Sequence, residues 1–135
     1  MATTYTISGS GTGTDLITAV YKTGAAAACP PQTILVAPVA CTVQNVGVIW
    51  DTVAGAASTI AITKETGTEA LGAGVTILAA NIDLEGTART YQARSLSATA
   101  ASLALAAGER LSVKVATGTA TASAGVNFTV ILKKT

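Results

Sequence analysis

The stretch SLALAAGERLSVKVATG, residues 102–118, indicates the fold most directly, because its apolar residues stand at every second position on both sides of a Gly-Glu break. A period of two buries one face of a strand and leaves the other face in water. Gly108 supplies a turn residue that tolerates positive φ. The stretch therefore predicts a strand, a short turn and a second strand. The alternating apolar positions are Leu103, Leu105, Leu111, Val113 and Val115.

Similar runs recur along the chain, and turn signals separate them at intervals of about 8 to 12 residues, which is typical of β-sandwiches. No run is followed by a long amphipathic helical pattern, which disfavours an α/β fold. The segment ARTYQARSL, residues 88–96, is interpreted as a further strand, and SATAAS, residues 97–102, as a short helical turn or a loop. The predicted fold class is all-β, a jelly-roll-like β-sandwich of about eight antiparallel strands.

The parity of the apolar residues also predicts the core and one irregularity. In the run that starts at Cys41, Val43 stands on the opposite parity from Val46, which predicts a β-bulge around Asn45. The residues expected to share one core are Trp50, Ile62, Leu111, Val113, Phe128 and Val130.

The domain organisation follows from length and local composition. A chain of 135 residues is expected to form one domain. Residues 1–13 are rich in Thr, Gly and Ser and lack apolar periodicity, which predicts an extended N-terminal arm. Residues 14–135 are then a single β-sandwich domain.

The low charge of the chain bears on its partners. Charged residues make up 11% of the sequence, against roughly 25% in ordinary soluble domains. A surface so poor in charge suits contact with other protein, since surface charge normally keeps domains apart; composition drift in a secreted β protein is the alternative. The net charge of +1 comes from scattered residues, so no nucleic-acid partner is expected.

No membrane segment is expected either, since no run approaches the ~18 apolar residues of a spanning helix. The first residues have neither the basic region nor the apolar core of a secretory signal, which favours the cytosol as the place of synthesis. There, Cys29 and Cys41 are predicted to be free thiols rather than a disulfide.

The residue types needed for common chemistries are scarce. The chain has no histidine, which excludes a Ser-His-Asp triad and a His-ligated metal. Asp83 and Glu85 share a strand parity, but a solvated strand end or a turn explains them better than a catalytic pair. The sequence predicts no enzyme, no catalytic residue, no metal and no cofactor.

The candidate contact residues are aromatic and basic. Tyr91 stands between Arg89 and Arg94 in RTYQAR and is the best candidate for an exposed protein contact; the alternative is a half-buried strand tyrosine. Tyr5, in the predicted arm, is the fourth candidate.

Three long stretches resemble the small head decoration, or cement, proteins of tailed bacteriophages: residues 37–68, residues 77–96, and residues 103–134. The resemblance covers residues 15–135 and depends on an apolar strand that ends at Trp50-Asp51, a small-residue turn, and a Leu-x-Leu-x-x-Gly-acid-x-Leu-x-Val-x-Val hairpin. It implies a non-enzymatic structural protein that sits on the outer capsid surface of a virion, often as a homotrimer. The major capsid protein is the implied partner, and the host bacterial cytoplasm is the implied place of synthesis.

The same hairpin occurs in sugar-binding and receptor-binding jelly rolls. The alternative function is therefore a carbohydrate-binding or adhesin β-sandwich on a fibre or a cell surface. Such a module needs an exposed aromatic cluster or a calcium site, whereas a cement protein needs flat surfaces of low charge.

Overall fold

The computed structural model describes residues 2–8, 16–22, 32–53, 58–117 and 125–135. Within these ranges the chain forms β-strands and one helix of four residues. The elements are β1 (Ala2–Ser8), β2 (Leu16–Lys22), β3 (Gln32–Val36), β4 (Cys41–Ile49), β5 (Thr59–Glu65), β6 (Val75–Thr76), β7 (Ile82–Asp83), β8 (Gln92–Ala93), α1 (Ala100–Leu103), β9 (Ala104–Leu105), β10 (Arg110–Thr117) and β11 (Asn127–Lys134).

The strands form two antiparallel sheets. Sheet A has the order β1-β2-β11-β4-β8, with β9 beside β4, and sheet B has the order β3-β10-β5-β6, with β7 beside β5. Four strand pairs nest within one another in sequence and alternate between the two sheets, as in an antiparallel ribbon rolled into a jelly roll. They are β2–β11, β3–β10, β4–β8 and β5–β6. The predicted all-β, jelly-roll-like sandwich is confirmed.

The core lies between the two sheets and contains all six residues that parity predicted. Trp50 and Phe128 are its largest side chains and are fully buried. Ile62, Leu111, Val113 and Val130 belong to the same cluster, each with no exposed surface. The inner faces of the strands were therefore predicted correctly.

The predicted bulge is present in β4. Ile131 of β11 pairs with Asn45, whereas the next residue, Leu132, pairs with Val43. Gln44 is the extra residue, and it is exposed together with Asn45. The bulge restores the register, so that the apolar residues on both sides of it point into the core.

The two strands of residues 102–118 exist, but they do not form the predicted hairpin. Leu103 ends α1, β9 pairs with β4 in sheet A, and β10 lies in sheet B. Gly108, with a φ of 88°, makes the predicted turn and donates its N–H to the Ala37 carbonyl (2.8 Å). The turn carries the chain from one sheet to the other, and an alternating pattern does not distinguish that path from a hairpin.

Of the predicted strand over residues 88–96, the structure has only Gln92–Ala93 and an isolated antiparallel bridge between Leu96 and Leu78, and the first part of the prediction is wrong. Arg89 adopts the left-handed conformation, with a φ of 59°, and its N–H donates to the carbonyl of Trp50 (2.7 Å). A left-handed residue interrupts the pleat, so the segment before β8 is a turn.

Part of the predicted arm is a strand of the sandwich. Residues Ala2–Ser8 form β1, which pairs in register with β2 of the same chain. Residues 9–13 lie outside the described residues, and the division at residue 13 stays a prediction.

The structure describes one of the two cysteines that were predicted to be free thiols. Cys41 is a buried free thiol on the inner side of β4, and Cys29 lies outside the described residues. Burial raises the pKa of the Cys41 thiol. Within the described ranges, no helix has the length and apolar character needed to cross a membrane.

Candidate contact surface

The outer face of sheet A is built from side chains that point away from the core on β2, β11, β4 and β8. Its cross-strand rows follow from the pairing register, because paired residues share a face. The two central rows contain no charged residue, and the side chains on them are short or β-branched. These rows are Val20–Thr129–Gly47–Ala93 and Thr18–Ile131–Asn45.

Tyr91 lies across the middle of this face. A Cβ atom placed on Gly47 would come within 2.3 Å of both Cε2 and Oη of Tyr91, so the ring occupies the space above that glycine. Gly47 points outward, because its neighbours Val46 and Val48 are buried in the core. The tyrosine is nevertheless 59% exposed. The glycine therefore lets an exposed ring lie close to the sheet.

Lysines stand at both ends of the outer face of sheet A. The row Lys22–Asn127–Ile49 closes one end and the row Leu16–Lys133–Thr42 closes the other. Both lysines are exposed, and Leu16 is 37% exposed beside one of them. The strands of sheet A contain no Asp or Glu.

The four candidate contact residues lie on different parts of the fold. Tyr91 is on the outer face of sheet A, as described, whereas Arg89 is an exposed turn residue. Arg94 is half-buried: its backbone N–H donates to Val46 (2.8 Å), and its Nη1 donates to the Gln92 side chain (2.8 Å). Tyr5 lies on β1, and its side chain is outside the described part of the structure.

The outer face of sheet B is different, because a buried carboxylate lies at its centre. Glu65 Oε1 accepts hydrogen bonds from Thr63 Oγ1 (2.6 Å) and the Gly72 N–H (3.0 Å), and its Oε2 accepts one from Ser112 Oγ (2.6 Å). Arg110 Nε lies 3.5 Å from the same Oε2. Glu65 and Ser112 have no exposed surface. The sequence reasoning did not single out Glu65, although its parity with Thr63 places it on the outward side of β5.

The loop of residues 66–74 covers this carboxylate. Lys114 Nζ donates to the Gly72 carbonyl, and Arg110 Nη2 donates to the Glu69 carbonyl. Glu69 holds the first residues of the loop in place, since its carboxylate accepts hydrogen bonds from the Thr66 hydroxyl (2.8 Å) and from the N–H groups of residues 66 and 67. The hydrogen bond from the Thr66 side chain is the main reason that the pKa of Glu69 is lowered.

Beside this loop is a shallow groove of about 330 Å³, lined by Ala61, Thr63, Gly74, Thr76, Asn81, Lys114, Val115 and Ala116. The lining offers hydroxyl and amide groups and one ammonium, and it includes no aromatic ring. It is suited to water or a small polar group rather than to stacking against a sugar ring.

The acidic pair considered from the sequence is part of a turn. Asp83 Oδ1 accepts the N–H of Glu85 (2.8 Å), the usual local bond of an Asx turn. Both residues are exposed. In the described ranges, no three His, Cys, Asp or Glu side chains come close enough to hold a metal ion.

Comparison with known proteins supports the sandwich over most of the chain. No family model matches the sequence, and no curated protein matches it. Among solved structures, a chain of the cyanophage Pam1 capsid asymmetric unit is similar in fold, with a TM-score of 0.52 and 18% sequence identity. The similarity covers 96% of this chain and 92% of that chain. At this identity the likeness concerns the fold alone.

Proposed function

We propose that this protein is a non-enzymatic structural component of a tailed-phage head, and that it acts as a decoration or cement protein. It binds the outer surface of the shell between capsomers, its partners are the major capsid protein and further copies of itself, and its place is the virion. The observation that carries the proposal is the fold similarity to a chain of the cyanophage Pam1 capsid asymmetric unit.

The similarity extends over nearly the whole length of both chains. Because nearly the whole of each chain is matched, the two chains are of similar length and the likeness extends over the whole sandwich. A compact sandwich that accompanies a shell has the size expected of a decoration protein.

The outer face of sheet A supplies a physical means of attachment. Thr18, Val20, Thr129 and Ile131 lose little rotamer freedom when an interface forms, so a modest contact area can still give net binding. A homotrimer adds avidity, since each bound protomer raises the effective concentration of the other two at the shell.

The test uses shells assembled from the major capsid protein encoded in the same genome. The purified chain is mixed with shells and sedimented, and decorated shells are imaged by cryo-electron microscopy. We expect saturable co-sedimentation, extra density on the outer surface, and a trimer in analytical ultracentrifugation. A chain that stays monomeric at high micromolar concentration and does not bind shells would rule out the cement function.

One observation favours a second candidate, a carbohydrate-binding module. Tyr91 presents an exposed ring, the kind of platform against which a sugar stacks. Glycan-array binding that disappears in Tyr91→Ala, without binding to shells, would support this alternative. A wild-type chain that binds shells and binds no glycan on the array, and that loses shell binding in Tyr91→Ala, would exclude it.

A further inference from the structure

We infer that the outer face of sheet A is the surface that docks on the shell, and that its partner is a protein surface with an uncharged strip between two acidic patches. The inference depends on the proposed function and adds which side of the sandwich binds and what chemistry receives it.

The first argument is the spacing of the lysines on this face. Lys22 and the Leu16–Lys133 row are at opposite ends of β2, and the six-residue step between positions 22 and 16 corresponds to about 20 Å of extended strand. The two uncharged central rows and the ring of Tyr91 lie between them. A complementary surface therefore needs an apolar or hydroxyl-rich strip about 20 Å long, with carboxylates beyond both of its ends.

The second argument is the sign of the charge. Lys22 and Lys133 are exposed, and none of the strands of sheet A carries an acidic residue. Asp51 is just beyond β4, where its carboxylate lies against Gly125. Asp51 is exposed at the β4 corner of the end that contains Lys22, so the positive charge at that end lies on the β2 side. Along β2 and β11 both ends of the face are positive, which favours an acidic partner there and disfavours a basic one.

The same charges disfavour a twofold pairing of this face with the same face of a second copy. A twofold axis along the strands would place Lys22 of one copy opposite Lys22 of the other, and an axis across the strands would place it opposite Lys133. Both arrangements bring like charges together at the two ends of the interface. A twofold pairing of this face with itself is therefore disfavoured, and the occupant that we infer is the shell.

The third argument is that the opposite side of the sandwich is already covered. Thr63, Glu65 and Ser112, at the centre of the outer face of sheet B, are at most 2% exposed under the loop of residues 66–74. Docking through that side requires the loop to be displaced, together with its hydrogen bonds to a buried carboxylate. The outer face of sheet A needs no such change.

The experiment compares two double variants that alter the net charge equally. Lys22→Gln/Lys133→Gln removes two charges from the face, and Val36→Glu/Val75→Glu adds two negative charges at exposed positions of sheet B. Binding to shells is titrated by co-sedimentation at several salt concentrations. We expect the Gln pair to weaken binding about three- to tenfold and to flatten its salt dependence, and the Glu pair to bind like the wild type.

A third variant, Thr129→Arg, tests the uncharged centre. It places a long charged side chain in the row that contains Gly47, and we expect a loss of at least about tenfold in shell affinity. Circular dichroism melts of all variants confirm that the sandwich is folded. The Gln pair, whose substitutions are at exposed positions, keeps the test informative if the arginine variant does not fold.

The outcomes separate the two proposals. If the wild type binds and the Gln pair binds equally well, or if only the Glu pair loses binding, the docking face is wrong and the cement function stands. If the Gln pair changes the oligomeric state and not shell binding, the face is an interface between copies. If the wild type does not bind shells, both proposals fail.

Discussion

Replacing Glu65 tests whether the loop of residues 66–74 is held by the buried carboxylate. Glu65→Ala removes the acceptor of the Thr63 hydroxyl, the Ser112 hydroxyl and the Gly72 N–H. Hydrogen bonds to a charged group contribute about 1.5 to 3 kcal/mol each, so the gross loss is on the order of 5 to 9 kcal/mol.

Two effects reduce that loss. The Thr63 hydroxyl also lies 3.4 Å from the Ser112 carbonyl, and the Ser112 hydroxyl lies 3.4 Å from Thr33 Oγ1, so both have a second acceptor. Removing the buried charge also removes its desolvation cost. We therefore expect Glu65→Ala to lower the free energy of unfolding by about 3 kcal/mol, and Glu65→Gln, which keeps the shape, by about 1 to 2 kcal/mol.

The assay is urea unfolding followed by Trp50 fluorescence, combined with hydrogen exchange of the Gly72 amide. Glu109→Gln is the matched control, because Glu109 is only half-buried and its ion pair with Lys64 spans 3.9 Å. The control should cost under about 1 kcal/mol. A loss below 1 kcal/mol in Glu65→Ala, with the Gly72 amide still protected, would refute the role given to this carboxylate.

Three further predictions concern single residues. Phe128→Ala should cost about 3 to 5 kcal/mol in the same unfolding assay, because it leaves a cavity in the core, and a loss under 1 kcal/mol would contradict the packing. In a Cys29→Ser background, Cys41 should react slowly with a thiol reagent when folded and rapidly in urea, since burial raises its pKa and blocks access; equal rates would contradict this. The chemical shift of the Thr66 amide, followed against pH, should change with a midpoint below the ordinary pKa of a glutamate, because its hydrogen bond to Glu69 persists until the pH falls through the lowered pKa of that residue. A midpoint at or above the ordinary value would contradict the loop geometry.

The residues that face the core could be predicted because burial of one face imposes the same period of two on the apolar residues of every strand. Trp50 directly follows β4 and Phe128 lies on β11, and each continues the apolar parity of its own run, which was sufficient to place both in the core. The bulge at Asn45 followed from the same rule, since Val43 and Val46 both have to reach the core. Periodicity reports which face is buried, and it does so without knowledge of the pairing.

The period of two does not predict which strands pair with one another. The strand that contains Leu105 and the strand that contains Leu111 are neighbours in sequence, but they belong to different sheets. The turn conformation of Arg89 was missed as well, because an arginine in the left-handed region has no signature in composition. Glu65 was missed because its acceptor role depends on Gly72 and Ser112, which only the folded chain brings together.

The charge-poor centre of sheet A is not a consequence of the jelly roll. The outer face of sheet B is built on the same fold, and it contains Glu65, Arg110 and Lys114 at outward positions of its central strands. Outward positions in this sandwich therefore accept charge, provided that a loop or another charge supplies partners. On sheet A the central rows remain free of charge although half-exposed, and charge returns only at the ends, with Lys22 and Lys133. Solubility alone would favour charge in the centre. The uncharged rows agree with the docking face that we infer, and the position of the lysines gives the length of the contact proposed there.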